Sequence, residues 1–356
     1  MKKRDGIVWL ALAVILIVIV LVFRSRINFD WRMFWSGLKN VSPWHIAAGI
    51  GLIYATFALR AFRWSVFVSP TKKVSALSLI GPNFIGFAAV ALFGRLADLT
   101  RPYLISRKIA LPLSTQVAVY TIERMFDLGA AAIIFSSALA FTPRDMPHHE
   151  IFVRTGLFSL AATLCIAVFA GTVRVAGGAV ARFAKSALRW LSKPVAESVA
   201  LKIEGFRDGL NALASWREFV IVTLVSLAMW GMIGGAYMQT AHAFANTPEL
   251  ATLTYSRTML LMASSIGASL LQLPIVGWFT QIAATAATMH ALYGAPLEAA
   301  TACGAMLLAV TFICVIPPGL IFARLERVGL RSAAKESEAA ATENLEGASS
   351  KELSKP

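Results

Sequence analysis

The stretch ALSLIGPNFIGFAAVALFGRLADLTR, residues 76–101, decides how this chain is built. It is apolar enough for a lipid bilayer, yet Gly81-Pro82-Asn83, Gly86 and Gly94 interrupt it. Lys72 and Lys73 precede it, while Arg95, Arg101, Arg107 and Lys108 close and follow it. Basic residues collect on the cytoplasmic side of a membrane, so both ends belong on that side. The stretch is therefore a candidate re-entrant hairpin, with Gly81, Pro82 and Gly94 as its breaks. Irregular backbone survives at membrane depth only where protein or a wet cavity covers it.

The rest of the chain extends this reading. Hydrophobic residues make up 57% and charged residues only 15%, against about 25% charged in soluble domains. Mean hydropathy is +0.68. A net charge of +14 raises the question of nucleic acid. The Lys and Arg fall instead in short segments between apolar runs, as membrane topology requires. Nucleic acid is excluded as a partner. Cys165, Cys303 and Cys314 lie inside apolar runs and show neither disulfide nor zinc spacing. His148-His149-Glu150 reads as a polar loop, so no metal and no cofactor is expected.

Apolar runs occupy 7–23, 44–68, 113–141, 151–175, 219–244 and 296–322, with broken runs at 76–99 and 258–293. The expected fold is an all-α, polytopic helical membrane protein with about six to eight transmembrane helices. The basic stretch 177–217 has apolar residues at three- and four-residue steps, the period of an amphipathic helix on the cytoplasmic surface. Its other reading is a solvated helix packed on the protein. The second broken run contains Leu273-Pro274-Ile275-Val276-Gly277. It too must return to its own side if 177–217 and the basic start of the tail are both cytoplasmic. Pro274 and Gly277 are its expected break. Interrupted segments in both halves point to a site near the midplane of a transporter built from repeats. Arg24, Arg26, Arg32 and Lys39 run against this topology, which places them outside. Residues 1–325 are read as one integral membrane domain and 326–356 as a disordered cytoplasmic tail.

Charges inside apolar sequence mark the candidate site, because each costs at least about 2.5 kcal/mol in a bilayer. Glu123 and Asp127 are four apart and share a helix face, with Arg124 three from Asp127. Two acids need a second cation, and Arg95 or Arg101 is the natural supplier. Asp98 can pair with either. A surplus of Arg suits an anionic head group, since the planar guanidinium binds phosphate in bidentate fashion. The alternatives are an ion-pair network that only joins helices, or Arg60, Arg63 and Arg101 snorkelling to the interface. No nucleophile–base pair or phosphate loop stands out, and no catalytic residue is assigned.

Four motifs in this order resemble the transmembrane region of lysylphosphatidylglycerol synthases and their stand-alone, flippase-like relatives. They are Arg63-Trp64, Phe93-Gly94-Arg95-Leu96-Ala97-Asp98-Leu99-Thr100-Arg101-Pro102, Glu123-Arg124-Met125-Phe126-Asp127, and the Pro274–Gly277 break. The likeness spans about residues 5–325. Where those proteins carry further glycines and then a glutamate, this chain has Trp278, Phe279, Thr280 and Gln281. The resemblance implies lipid translocation between leaflets of the bacterial cytoplasmic (inner) membrane, with both termini cytoplasmic. The implied substrate is a phospholipid, aminoacyl-phospholipid or other polar lipid with an anionic or zwitterionic head group. Arg95 and Arg101 would contact its phosphate, Glu123, Arg124 and Asp127 would position them and hold the hairpin, and Arg63 and Asp98 complete the expected substrate-binding set. The bifunctional synthases add a large soluble aminoacyltransferase domain, and about 33 polar residues after the last span are too few for one. Enzymatic activity is therefore not expected. The alternative is an accessory factor for lipid, hopanoid or glycan synthesis, with a lipid-modifying enzyme as partner. A weaker third reading is an intramembrane enzyme using Glu123 or Asp127 as base.

Overall fold

A computed structural model describes residues 29–144, 149–188, 197, 215–269 and 276–340, and these residues are helical throughout apart from turns. The expected first span, 7–23, lies outside them. Helix α1 (Trp31–Lys39) leads into α2 (Pro43–Val68), which has Pro43 at its first position, where no amide hydrogen bond is lost. A 3-10 turn (Ala76–Leu79) opens α3 (Ile80–Phe93), and another (Gly94–Ala97) joins it to α4 (Thr100–Ile109). Then come α5 (Leu113–Ala140), α6 (His149–Leu188), α7 (Trp216–His242) and the single turn α8 (Pro248–Ala251). Helices α9 (Tyr255–Ser269), α10 (Val276–Tyr293), α11 (Leu297–Thr311) and α12 (Ile316–Leu325) follow. A last helix, α13, covers 330–340.

Among the described residues, five helical stretches are long and apolar enough to cross a bilayer: Pro43–Val68, Ala76–Phe93, His149–Val168, Trp216–His242 and Leu297–Leu325. The 28-residue α5 is as long but carries Glu123, Arg124 and Asp127. This is a multi-pass, all-α membrane protein. Helix α6 departs from helical geometry at Ala176 (φ −123°, ψ 26°), next to the expected end of that span. Most of the amphipathic segment 177–217 lies outside the described residues, although helix continues to Leu188.

By composition Ala76–Phe93 could cross, but its packing shows that it returns. Helix α4 folds back along α3: Gly86 sits so close to Arg101 that an added methyl would come within 2.5 Å of its Cβ. Ile85 and Leu104 share one apolar cluster. At the open end, Lys108 meets Glu326 beside Gly81. The reversal is at Gly94, whose φ of +74° suits glycine. Gly81 and Pro82 are not breaks, contrary to the sequence reading. Both are buried inside α3, and Pro82 is tolerated because the first helical turn needs no amide donor there.

Helices α9 and α10 form the second hairpin. Tyr293 Oη donates to the Arg257 carbonyl (2.6 Å) and Gln281 Nε2 to Ser265 Oγ (2.8 Å), which fixes the arms antiparallel with both free ends together. Gly277 is buried in the first turn of α10. Pro274 and the turn itself lie outside the described residues.

The two halves are built alike and run in opposite senses. Each has a long helix (α2 or α7), a hairpin, and a second long helix (α5, or α11 with α12). Helices α2 and α7 pack antiparallel along their lengths, from His45–Gln239 (2.6 Å) to Ser69–Glu218 (3.2 Å). Arm α3 lies on α12, and arm α9 lies on α5. Gly319 makes the first contact close, being set against Phe84 and Ala88. The sequence shows no repeat, yet the packing is reciprocal.

The tail differs from its expected disorder. Helix α13 buries Ala333 and Ser337 against α4, and the Ser337 hydroxyl lies 3.4 Å from Thr100 Oγ1. Tyr103 Oη donates to Glu336 (2.8 Å). Apolar and hydrogen-bonding contacts on one helix face offset the ordering entropy that a polar composition alone could not. Residues 341–356 lie outside the described set.

Candidate functional site

Six charged side chains meet where α2, α4 and α5 converge beside α7. Arg60 and Arg63 are three apart on α2 and point to one face. Glu123 and Asp127, four apart on α5, face them. Arg63 is fully buried and divides its guanidinium between the acids: Nη2 donates to Glu123 Oε1 (2.6 Å) and Nη1 to Asp127 Oδ1 (2.7 Å). The same Nη1 reaches Ser226 Oγ on α7 (2.6 Å). Arg101 grips Glu123 as a fork, with distances of 2.7 Å to Oε2 and 3.1 Å to Oε1. Its Nη1 also reaches Asn83 Oδ1 (3.3 Å). Arg60 lies 3.5 Å from Glu123 and 3.8 Å from Asp127. Arg124 Nη2 lies 3.0 Å from Asp127 and 3.3 Å from Glu123.

Aromatic rings cover these cations. The Arg101 guanidinium stands over Trp64 (4.6 Å), Phe87 (5.2 Å) and Tyr120 (5.3 Å). Arg60 stands over Phe87 and Arg124 over Tyr120. Ring faces favour a cation most where water is scarce. Trp64 is itself pinned by its indole N–H donating to Gln116 (2.9 Å).

Four guanidinium groups thus face Glu123 and Asp127, and Asp98 lines the same cavity near Arg124, so among the described residues guanidiniums still outnumber carboxylates in a largely buried site. Buried N–H groups on Arg60 (Nη1), Arg63 (Nε) and Arg124 (Nε) have no hydrogen-bond acceptor among the described residues. Arg124 is the member open to the surroundings, its side chain 41% exposed. It lines a small cavity of about 50 Å³ with Gly86, Phe87, Asp98, Arg101 and Tyr120. That is room for one or two waters, or for part of a head group.

Of the expected site residues, Arg63, Arg101, Glu123, Arg124 and Asp127 converge, and Asp98 borders their cavity. The backbone of Arg95 lies in the Gly94–Ala97 turn, and its side chain is outside the described residues. Arg60, Arg63 and Arg101 do not snorkel: all three are buried within the cluster. Arg60, Asn83 and Ser226 were absent from the sequence-derived set. The Arg60–Arg63 spacing could have brought in the first. Nothing local announces Asn83 or Ser226.

Re-entrant hairpins in two opposed halves, with a buried charged cluster at one of them, define a polytopic membrane protein with a buried polar site. The chain belongs to the family described as the lysylphosphatidylglycerol synthase TM region, which matches residues 8–319. No curated protein and no solved structure matches it.

Proposed function

We propose that this protein translocates, or assists the translocation of, a polar-headed lipid between leaflets of the bacterial cytoplasmic membrane. The observation that carries the reading is the surplus of buried guanidinium charge with unfilled N–H groups, open to a cavity through Arg124. A phosphate supplies the missing acceptors and charge, and an anionic or zwitterionic head group brings one to this depth. Arg124 makes the first contact. Arg101 contributes once the α3–α4 hairpin shifts, because the resting cavity is too small for a whole head group. Glu123 and Asp127 hold the guanidiniums in register. Both Glu123 oxygens already accept from Arg101, and Oε1 also from Arg63. It is therefore poorly placed as a general base, which favours transport over catalysis.

Purified protein in liposomes should accelerate the inward movement of a fluorescent phospholipid. Arg124→Gln should abolish the acceleration while the protein keeps its thermal stability. If no phospholipid class moves faster than in protein-free vesicles, the translocation reading fails and the accessory reading takes its place.

A further inference from the structure

Helix α1 takes no part in the ion cluster and sits at the opposite end of the molecule. The Asp30 amide donates to Glu298 Oε1 (3.1 Å) at the start of α11, and Gly37 lies against Ala302. Just beyond α1, the Ser42 amide donates to the carbonyl of Ala243, after the end of α7 (2.9 Å). The Asp30 carboxylate caps the helix through the amides of Arg32 (2.7 Å) and Met33 (3.3 Å). Nine residues held this way form a fixed surface element.

Its faces are sharply divided. At 100° per residue, Phe34, Gly37 and Leu38 turn towards α11, and Phe34 and Leu38 pack on the main apolar cluster. Trp31 and Trp35 form the next stripe and stand 61% and 56% exposed. Arg32 and Lys39, two turns apart, make the stripe beyond them. Together with Ser36 and Asn40 these side chains make up one outward face of α1. Asp30 lies round the far side and its carboxylate is engaged by the cap, so no described acid offsets the positive charge of this face. Among the described residues neither Arg32 nor Lys39 has an ion-pair partner.

Bulk water suits the cations but not two exposed indoles, and the bilayer core suits the indoles but not the cations. The head-group layer suits both, with rings at the interface and basic groups among phosphates. We propose that α1 is an interfacial helix whose Arg32–Lys39 face binds the head group of an anionic phospholipid, in the leaflet opposite the Lys72–Lys108 rim. This also accounts for Arg32 and Lys39 standing on the face where the charge rule expects few cations. The proposal does not depend on translocation.

The test uses full-length protein in vesicles of equal phosphatidylglycerol and phosphatidylcholine, with bromine on the acyl chains of one lipid at a time. Subtracting the fluorescence of Trp31→Phe/Trp35→Phe from that of the parent isolates the two α1 indoles. Either single replacement serves if the pair does not fold. Brominated phosphatidylglycerol should quench this signal well beyond brominated phosphatidylcholine, by a local enrichment on the order of tenfold. Arg32→Gln/Lys39→Gln should equalise the two lipids while quenching persists. Equal quenching in the parent protein would overturn the anionic site, and no quenching by either lipid would overturn the interfacial placement.

Discussion

Arg63 and Arg124 contact the same two acids from opposite situations, and the difference separates folding from function. Arg63 is fully buried and is bonded to Glu123, Asp127 and Ser226. Arg63→Gln removes two short charge-assisted hydrogen bonds, to Glu123 and Asp127, from a fully buried position, and breaking a buried pair from one side costs about 3–5 kcal/mol. Unfolding in detergent should therefore begin at a clearly lower temperature for that variant. Arg124 is partly exposed, and its acids keep Arg60, Arg63 and Arg101 when it is removed. Arg124→Gln should change stability by about 1 kcal/mol or less, yet remove lipid movement. A large stability loss at Arg124 would mean that it is a structural member like Arg63. The charges inside apolar runs made Glu123, Asp127 and Arg101 legible in the sequence, because a costly residue must have a partner. Asn83 and Ser226 were not legible: neutral residues are common in such helices, and their partners, Arg101 and Arg63, come from 18 and 163 residues away.

Helix α13 shows at the level of an element what composition hides. Its residues are polar, but Ala333 and Ser337 fall four apart on one face and meet α4 beside Thr100. Composition alone therefore suggested disorder, while the pairing of Glu336 with Tyr103 and Arg107 depends on the distant hairpin. The Glu336 carboxyl accepts hydrogen bonds from Ser332 and Tyr103, which hold it below the ordinary glutamate value of 4.5. The Ser332 bond lies within α13, so it is the Tyr103 bond that makes the ionised carboxyl favour the docked helix. The contribution fades as pH falls through the lower value, where the carboxyl takes a proton. Distances between spin labels on α4 and α13 should broaden in that acidic window and stay narrow at neutral pH. Glu336→Gln should remove the pH dependence. Broadening with the same midpoint in that variant would assign the transition to other groups. The hairpin itself was half legible: basic flanks showed that 76–101 returns, and Gly94 provides the turn. Pro82 misled because proline near a helix start is compatible with the helix.

For the whole molecule, opposed halves make a prediction about sides that neither hairpin makes alone. Parity in the sequence required each broken run to return, but the reciprocal packing of α3 on α12 and α9 on α5 is a property of the folded chain. Side-chain patterns in the two halves differ: the first hairpin is tied by Arg101 to Glu123, whereas the second is linked through Tyr237, Ser265 and Gln281. That divergence explains why no internal repeat is visible. If the halves are inverted, the ends of the first hairpin share one membrane side and those of the second share the other. In a variant without Cys165, Cys303 and Cys314, cysteines at the exposed positions Lys73 and Arg107 should react together with an impermeant maleimide. Cysteines at Thr254 and Ala291 should react together from the opposite side. The topology assigned above makes the second pair accessible in intact cells and the first pair accessible only after the membrane is opened. A split within either pair would show that the broken run crosses. Identical sidedness for all four would leave both hairpins intact but refute the inversion.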